Sequence, residues 1–157
     1  MNDLERFIEK SELVGSENLV LSNDEFSMLL KKERFDYVDV PSFNLKKDVR
    51  AGEEGIGTAL VEVDYGIAET GTVVLDSCEE NKRLATCLAE KLLVVMPLSK
   101  LVSTLNHVAD FLEERTSDKG GYVAFITGAS RTADIERVLT VGVHGPKEMT
   151  VYILNDL

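Results

Sequence analysis

Apolar and polar positions change period several times along this chain, and each change marks an element. Leu4, Phe7 and Ile8 fall at i, i+3 and i+4, the spacing of one helical face, and the run closes before Gly15. Ser22-Asn23-Asp24-Glu25 places a hydroxyl and a carboxylate at capping-box spacing ahead of Phe26, Leu29 and Leu30, which predicts a second helix reaching about Arg34. Tyr37, Val38 and Val40 stop at Pro41 and read as a short strand near an edge, followed by a polar, irregular stretch to Glu54. Ala59, Val61 and Val63 alternate with Leu60, Glu62 and Asp64, the period of a strand with one face better buried than the other. The next apolar run, Thr72 to Leu75, comes too soon for a helical crossover, so the two are expected as antiparallel neighbours or bent around a bulge.

Beyond this point element types alternate. A helix is expected from Glu80 to Lys91 with Leu84, Cys87 and Leu88 on its apolar face, leading into a Leu92–Met96 strand. Leu101, Leu105, Val108 and Leu112 follow at helical spacing, and Gly120-Gly121 ends that helix. Tyr122 to Ile126 is a continuous apolar run of the kind buried on both faces, a glycine-containing loop and helix come after it, and Thr150 to Leu154 supplies a last strand. This order predicts an α/β protein with an open, mostly parallel sheet flanked by helices, in one domain spanning residues 1–157.

Composition narrows the class. The 157 residues are 44% hydrophobic and 29% charged, the mixture of a globular domain large enough to bury a core. A net charge of −11 would repel a nucleic-acid backbone, although screening leaves room for a local small-anion site. The acidic start, Met1-Asn2-Asp3-Leu4-Glu5, lacks the pattern of an export signal, and no apolar run is long enough for a transmembrane helix, so a cytoplasmic protein is expected. Cys78 and Cys87 belong to no CxxC pair, which predicts no cofactor and no metal site in this chain.

Candidate chemistry concentrates in loops after strands, where helix N-termini present unpaired amides. In Thr127-Gly128-Ala129-Ser130-Arg131-Thr132-Ala133-Asp134, a candidate ligand-binding loop, Gly128 permits close backbone approach, Ser130 and Thr132 supply hydroxyls, and Arg131 is a forked cation suited to phosphate or carboxylate. The competing reading is an ordinary helix cap with Arg131 paired to Asp134 or Glu136, weakened because neither Ser130 nor Thr132 has Glu or Gln three residues on. Glu69, Thr70, Gly71 and Thr72 form an acid and hydroxyl cluster just before a strand; otherwise Glu69 is an exposed loop acid and Gly71 a bulge residue. Arg83 sits near a helix start, where a cation is unfavourable, and so asks for a partner such as Asp76 or a bound anion. His144, between glycines and a proline, is a candidate general base or a tie for its own loop, whereas His107 lies opposite its apolar stripe. Gly52, Gly55 and Gly57 have the order GxxGxG and open no dinucleotide fold, and no standard catalytic signature occurs.

Taken in order, Ile67-Ala68-Glu69-Thr70-Gly71-Thr72-Val73-Val74-Leu75, Arg83, Ile126 to Glu136 and Gly142-Val143-His144-Gly145-Pro146 resemble the LUD domain of the lactate utilization protein C family, over roughly Gly55 to the end. The resemblance implies a fold similar to ribose-phosphate isomerases, glucosamine-phosphate deaminases and CoA transferases. It further implies oxidation of L-lactate to pyruvate alongside iron-sulfur oxidoreductase subunits, with a small anionic ligand at the Thr70–Thr72, Arg83 and Thr127–Asp134 positions. Any clusters would then belong to those partners. Ala129 stands where the family loop usually has proline, Leu88-Ala89-Glu90 lacks the expected leucine-proline pair, and residues 1–54 are short for the family. A stand-alone enzyme using Glu69, Arg131 and His144, or a structural or regulatory protein, are the alternatives. A homo-oligomer is compatible with the sequence, which does not fix the state.

Overall fold

The computed structural model describes residues 1–48, 56–116, 123–129 and 146–157. Two sheets are stacked in it. The larger has the order β1 (Ser16–Leu21), β10 (Glu148–Leu154), β7 (Ala89–Pro97), β4 (Ile56–Glu62), β2 (Tyr37–Val40), β3 (Leu45–Lys47). The first five strands run parallel, and β3 is antiparallel at the far edge. The smaller sheet has the order β8 (Leu101–Val102), β5 (Tyr65–Ile67), β6 (Thr72–Asp76), β9 (Val123–Ile126). Helices α1 (Asp3–Leu13), α2 (Asn23–Leu30), α3 (Glu80–Leu88) and α4 (Ala109–Thr116) flank them.

Strand alternation sorts the apolar residues into layers. On β7, Leu92, Val94 and Met96 face a core shared with Val73 and Leu75 of β6 and Phe7 of α1. Leu93 and Val95 face the opposite core, with Leu60, Tyr152 and Phe26 of α2. Val74 turns to the outer face of the smaller sheet, where Val108, Phe111 and Leu112 cover it. The α/β class with a mostly parallel, helix-flanked sheet is therefore observed, with a second sheet inserted as an additional layer.

The N-terminal helices are capped as their sequences direct. Asn2 and Glu5 form a capping box on α1, and Ser22 and Glu25 form one on α2, with Glu25 N donating to Ser22 Oγ at 3.1 Å. Without a glycine or proline to stop it, α2 still ends at Leu30, four residues before Arg34, and chain direction changes ahead of Asp36. Asp36 Oδ2 accepts from the amides of Gly57 and Thr58, at 2.9 and 3.0 Å, tying that turn to the start of β4.

Several expectations are corrected. The stretch from Pro41 contains a 3-10 turn, Pro41–Phe43, and strand β3. Strand β4 is buried on both faces at Ala59, Leu60 and Val61, because it lies inside the larger sheet between β2 and β7. It does not pair with β6, whose antiparallel partners are the short β5 and β9. Helix α3 stops at Leu88 and β7 begins at Ala89, so Leu84 and Leu88 are exposed while Ala85 and Thr86 face inward. Small residues there let the short helix approach the sheet closely. The Leu101–Leu112 periodicity is broken into β8, a 3-10 turn Leu105–Val108 and α4. Thr104 caps the turn, its Oγ1 3.1 Å from His107 Nδ1. Strand β9 is half-buried, since it lies at an edge of the smaller sheet.

Candidate functional site

The Thr70–Thr72 and Thr127–Gly128 segments meet through sheet register. Val73 of β6 lies opposite Ile126 of β9 in an antiparallel pair, so extending the ladder one residue sets Thr72 beside Thr127. Thr72 Oγ1 is 2.7 Å from Thr127 Oγ1 and 2.8 Å from Thr70 Oγ1, giving a continuous chain of three hydroxyls. Thr72 is buried at its centre and Thr70 is exposed at its end. Each hydroxyl can donate and accept, so this chain can reverse its polarity to suit a ligand that either donates or accepts.

Two glycines let the loops close on α1. Gly71, at φ +68°, donates its amide to the Ile67 carbonyl at 2.9 Å and completes the β5–β6 turn. A Cβ on Gly71 would run into the backbone of Lys10 and Ser11, and one on Gly128, at φ +76°, into the carbonyl and side chain of Val14. The second half of α1 is thus packed against both loops. Beneath it, Asn18 Nδ2 donates to Ser11 Oγ at 2.7 Å, while Ser16 Oγ and Asn18 Oδ1 are buried with no partner among the described residues. Sequence reasoning missed α1 as a wall of this site; the readable signal was a pair of glycines in two loops that needed a backbone neighbour.

Other candidates are placed elsewhere or differently. Glu69 Oε1 accepts from the Leu105 amide at 3.2 Å, so its carboxylate caps the turn before α4 and, among the described residues, is not hydrogen-bonded to the three hydroxyls. Arg83, on α3, donates from Nη1 to the Ser77 carbonyl at 3.2 Å, a backbone partner in the loop that leads into its own helix. Ser130, Arg131, Thr132, Asp134 and His144 lie outside the described residues. Among the described residues no group of three or more His, Cys, Asp or Glu side chains is placed to hold a metal ion. Cys78 is exposed, and burial pushes the half-buried Cys87 thiol up.

A second polar cluster joins α3 to the far edge of the larger sheet. Lys46 Nζ lies 2.6 Å from Glu79 Oε1 and 3.7 Å from Asp39 Oδ2, and Lys82 Nζ lies 3.2 Å from Asp39 Oδ2. The buried Tyr37 hydroxyl is 3.4 Å from both Lys46 Nζ and Glu79 Oε1. Burial pushes the Tyr37 phenol up to about 12, against the lowering effect of Lys46. The Lys46 hydrogen bond holds the Glu79 carboxyl below its usual range. A groove of about 300 Å³ on another face is lined by Asp64, Tyr65, Lys100, Asp110, Phe111 and Glu114, and contains none of the candidates read from sequence.

Comparison with known proteins assigns this arrangement of strands and loops. The LUD domain model matches residues 3–154. The chain belongs to the LUD domain family. The match starts in α1, so the N-terminal helix and β1 are included along with the motifs from Gly55 onward. A lactate utilization protein C from Bacillus pumilus is 39% identical over 118 residues, covering 71% of this chain and 47% of that protein. One from Geobacillus thermodenitrificans is 35% identical over 116 residues, with 71% and 47% covered. One from Anoxybacillus flavithermus is 29% identical over 153 residues, with 90% and 65% covered. The chain therefore spans about half the length of most of these relatives. A crystal structure of a DUF162 family protein from Deinococcus radiodurans superposes with a TM-score of 0.66 at 19% identity, covering 98% of this chain and 96% of that one, and shows the same fold.

Proposed function

We propose that this LUD domain chain is a non-redox accessory component of L-lactate utilization, which binds a small anion at the loop following β9 and docks on iron-sulfur subunits that oxidise lactate to pyruvate. The observation that carries the ligand reading is the Thr72–Thr127 hydrogen bond, which brings two separated motifs to one place behind α1. A polar chain leading from an exposed Thr70 to a buried Thr72 suits the oxygen-rich end of a small ligand. Arg131, three residues beyond Gly128, supplies the charge complementary to a carboxylate or phosphate. The lactate context comes from the relatives named lactate utilization protein C. The chain itself brings binding groups and no cofactor, and redox chemistry falls to the partners.

The test has two arms. Thermal shifts are measured with lactate, pyruvate, a phosphosugar and CoA, in wild type and in Arg131→Ala and Thr72→Val. A ligand present at 100 times its dissociation constant adds about 2.7 kcal/mol, a shift easily read. The expected result is stabilisation by at least one small anion, lost in Arg131→Ala and weakened in Thr72→Val. No shift with any of the four would sink the ligand half. A tagged chain that never brings down iron-sulfur subunits from its native host would sink the docking half.

A further inference from the structure

We propose that β1 is a self-association edge, on which a second copy of this chain pairs antiparallel to continue the larger sheet across a twofold axis. The two edges of that sheet are built differently. At one end β3 has three residues, two of them lysines, a short charged edge of the kind that discourages further pairing. At the other end β1 runs for six residues, Ser-Glu-Asn-Leu-Val-Leu, with neither proline nor lysine, and among the described residues it pairs with β10 alone. Its outer amides and carbonyls form a template for another strand.

Side chains on this edge are apolar on both faces of the sheet. Leu19 and Val20, which point to opposite faces, are 46% and 41% exposed. The helices joined to β1 add exposed Leu13 at the end of α1 and Met28 on α2. A partner strand that covers only one face would leave half of this surface in water. A strand carrying its own flanking helices covers both.

A second copy is favoured over a foreign strand because β1 matches itself. Twofold pairing about an axis normal to the sheet keeps each residue on its own face, so opposed residues must share parity along the strand. Centred on Leu19, the register opposes Leu19 with its symmetry mate, Val20 with Asn18 and Leu21 with Glu17. The two exposed leucines then bury each other at the axis. The two Glu17 carboxylates are four residues out of register, roughly 14 Å apart along the strand at about 3.4 Å per residue, beyond the screening length of about 8 Å. Centring on Asn18 would bring those carboxylates closer, and centring on Glu17 would oppose them directly. Charge therefore disfavours those two registers, and centring on Val20 would pair only Leu19 to Leu21 within β1 where the Leu19 register pairs Glu17 to Leu21; the Leu19 register is the one that satisfies both, and an isologous contact of this kind closes at two copies.

Light scattering after size exclusion, over a concentration series, is expected to give twice the mass of one chain, and Leu19→Lys to give one chain with unchanged far-ultraviolet circular dichroism. Register is tested by cysteine crosslinking in a Cys78→Ser/Cys87→Ala background. Leu19→Cys faces its mate and should crosslink under mild oxidation, whereas Val20→Cys should not. A wild type that stays monomeric to millimolar concentration overturns the proposal. So does a dimer that survives Leu19→Lys, or crosslinking through Val20→Cys as efficient as through Leu19→Cys.

Discussion

At the level of single residues, the glycines that close the candidate site carry a cost that can be separated into two parts. Gly15, Gly71 and Gly128 all have positive φ, at +93°, +68° and +76°. An alanine in that region costs roughly 1–2 kcal/mol from backbone strain alone. Gly15→Ala should show little beyond this, since among the described residues its Cβ would meet only the Ala129 Cβ, at 3.9 Å. Gly71→Ala and Gly128→Ala should cost distinctly more, about 3 kcal/mol or above, because the Gly71 Cβ would strike the α1 backbone and the Gly128 Cβ would strike Val14, the C-cap of α1. Urea denaturation of the three variants checks the order, and equal losses would mean α1 yields freely. Ser16 makes the opposite case. Its hydroxyl is buried with no partner among the described residues, so Ser16→Ala removes a desolvation penalty and is expected to stabilise the fold by about 1 kcal/mol in the same measurement.

Among the elements, α3 shows how a short helix is held when its apolar residues point outward. Leu84 and Leu88 are exposed, and the helix is fastened instead by Lys46–Glu79 and Lys82–Asp39. These pairs differ in burial: the side chains of Lys82 and Asp39 are 14% and 13% exposed, those of Lys46 and Glu79 41% and 50%. Lys82→Met should therefore cost roughly 1–2 kcal/mol, and Lys46→Met less than about 1 kcal/mol, in thermal melts. Because Lys46 lowers the Glu79 carboxyl, that pair contributes above the ordinary glutamate range and its contribution fades as pH falls through the folded value. The same helix marks where sequence reading stopped. Local signals were legible: the Ser22–Glu25 capping box, the Tyr37–Val40 strand before Pro41 and the Leu92–Met96 run all form as their residues direct. Helical spacing at Leu84, Cys87 and Leu88 misled because it cannot tell a buried stripe from an exposed one on a nine-residue helix. The second sheet was illegible because β5 and β8 have three and two residues, too few to show a period. For the site, the Thr72 and Thr127 motifs were legible, but their junction depends on long-range pairing of β6 with β9, and α1 enters through glycine contacts alone.

Across the whole molecule, the two faces of the larger sheet each hold a buried tyrosine, and the pair is expected to set the alkaline limit of the fold. Tyr37 belongs to the core shared with the smaller sheet, and Tyr152 to the core covered by α2. Burial raises the Tyr37 phenol to about 12, with Asp39 adding to the shift and Lys46 opposing it. Burial also raises Tyr152 to about 12, with Glu33 and Glu17 adding to it. In the unfolded chain both titrate near pH 10. Between these values the unfolded state binds fewer protons than the folded one, so stability declines as pH rises. The contribution is complete below about pH 10 and is lost as pH climbs through about 12, by at most about 2–3 kcal/mol for each tyrosine. Urea midpoints taken from pH 8 to 12 should fall over this window, along with the rise of phenolate absorbance on unfolding. Tyr152→Phe removes one titration with no hydrogen-bond partner among the described residues to lose, and should flatten the decline with little change at pH 8. Tyr37→Phe should flatten it as well, at a cost of about 0.5–1.5 kcal/mol at pH 8, because its hydroxyl lies between Lys46 and Glu79. If both variants decline as steeply as wild type, the alkaline limit comes from self-repulsion of a chain already at net charge −11 and not from the two buried phenols.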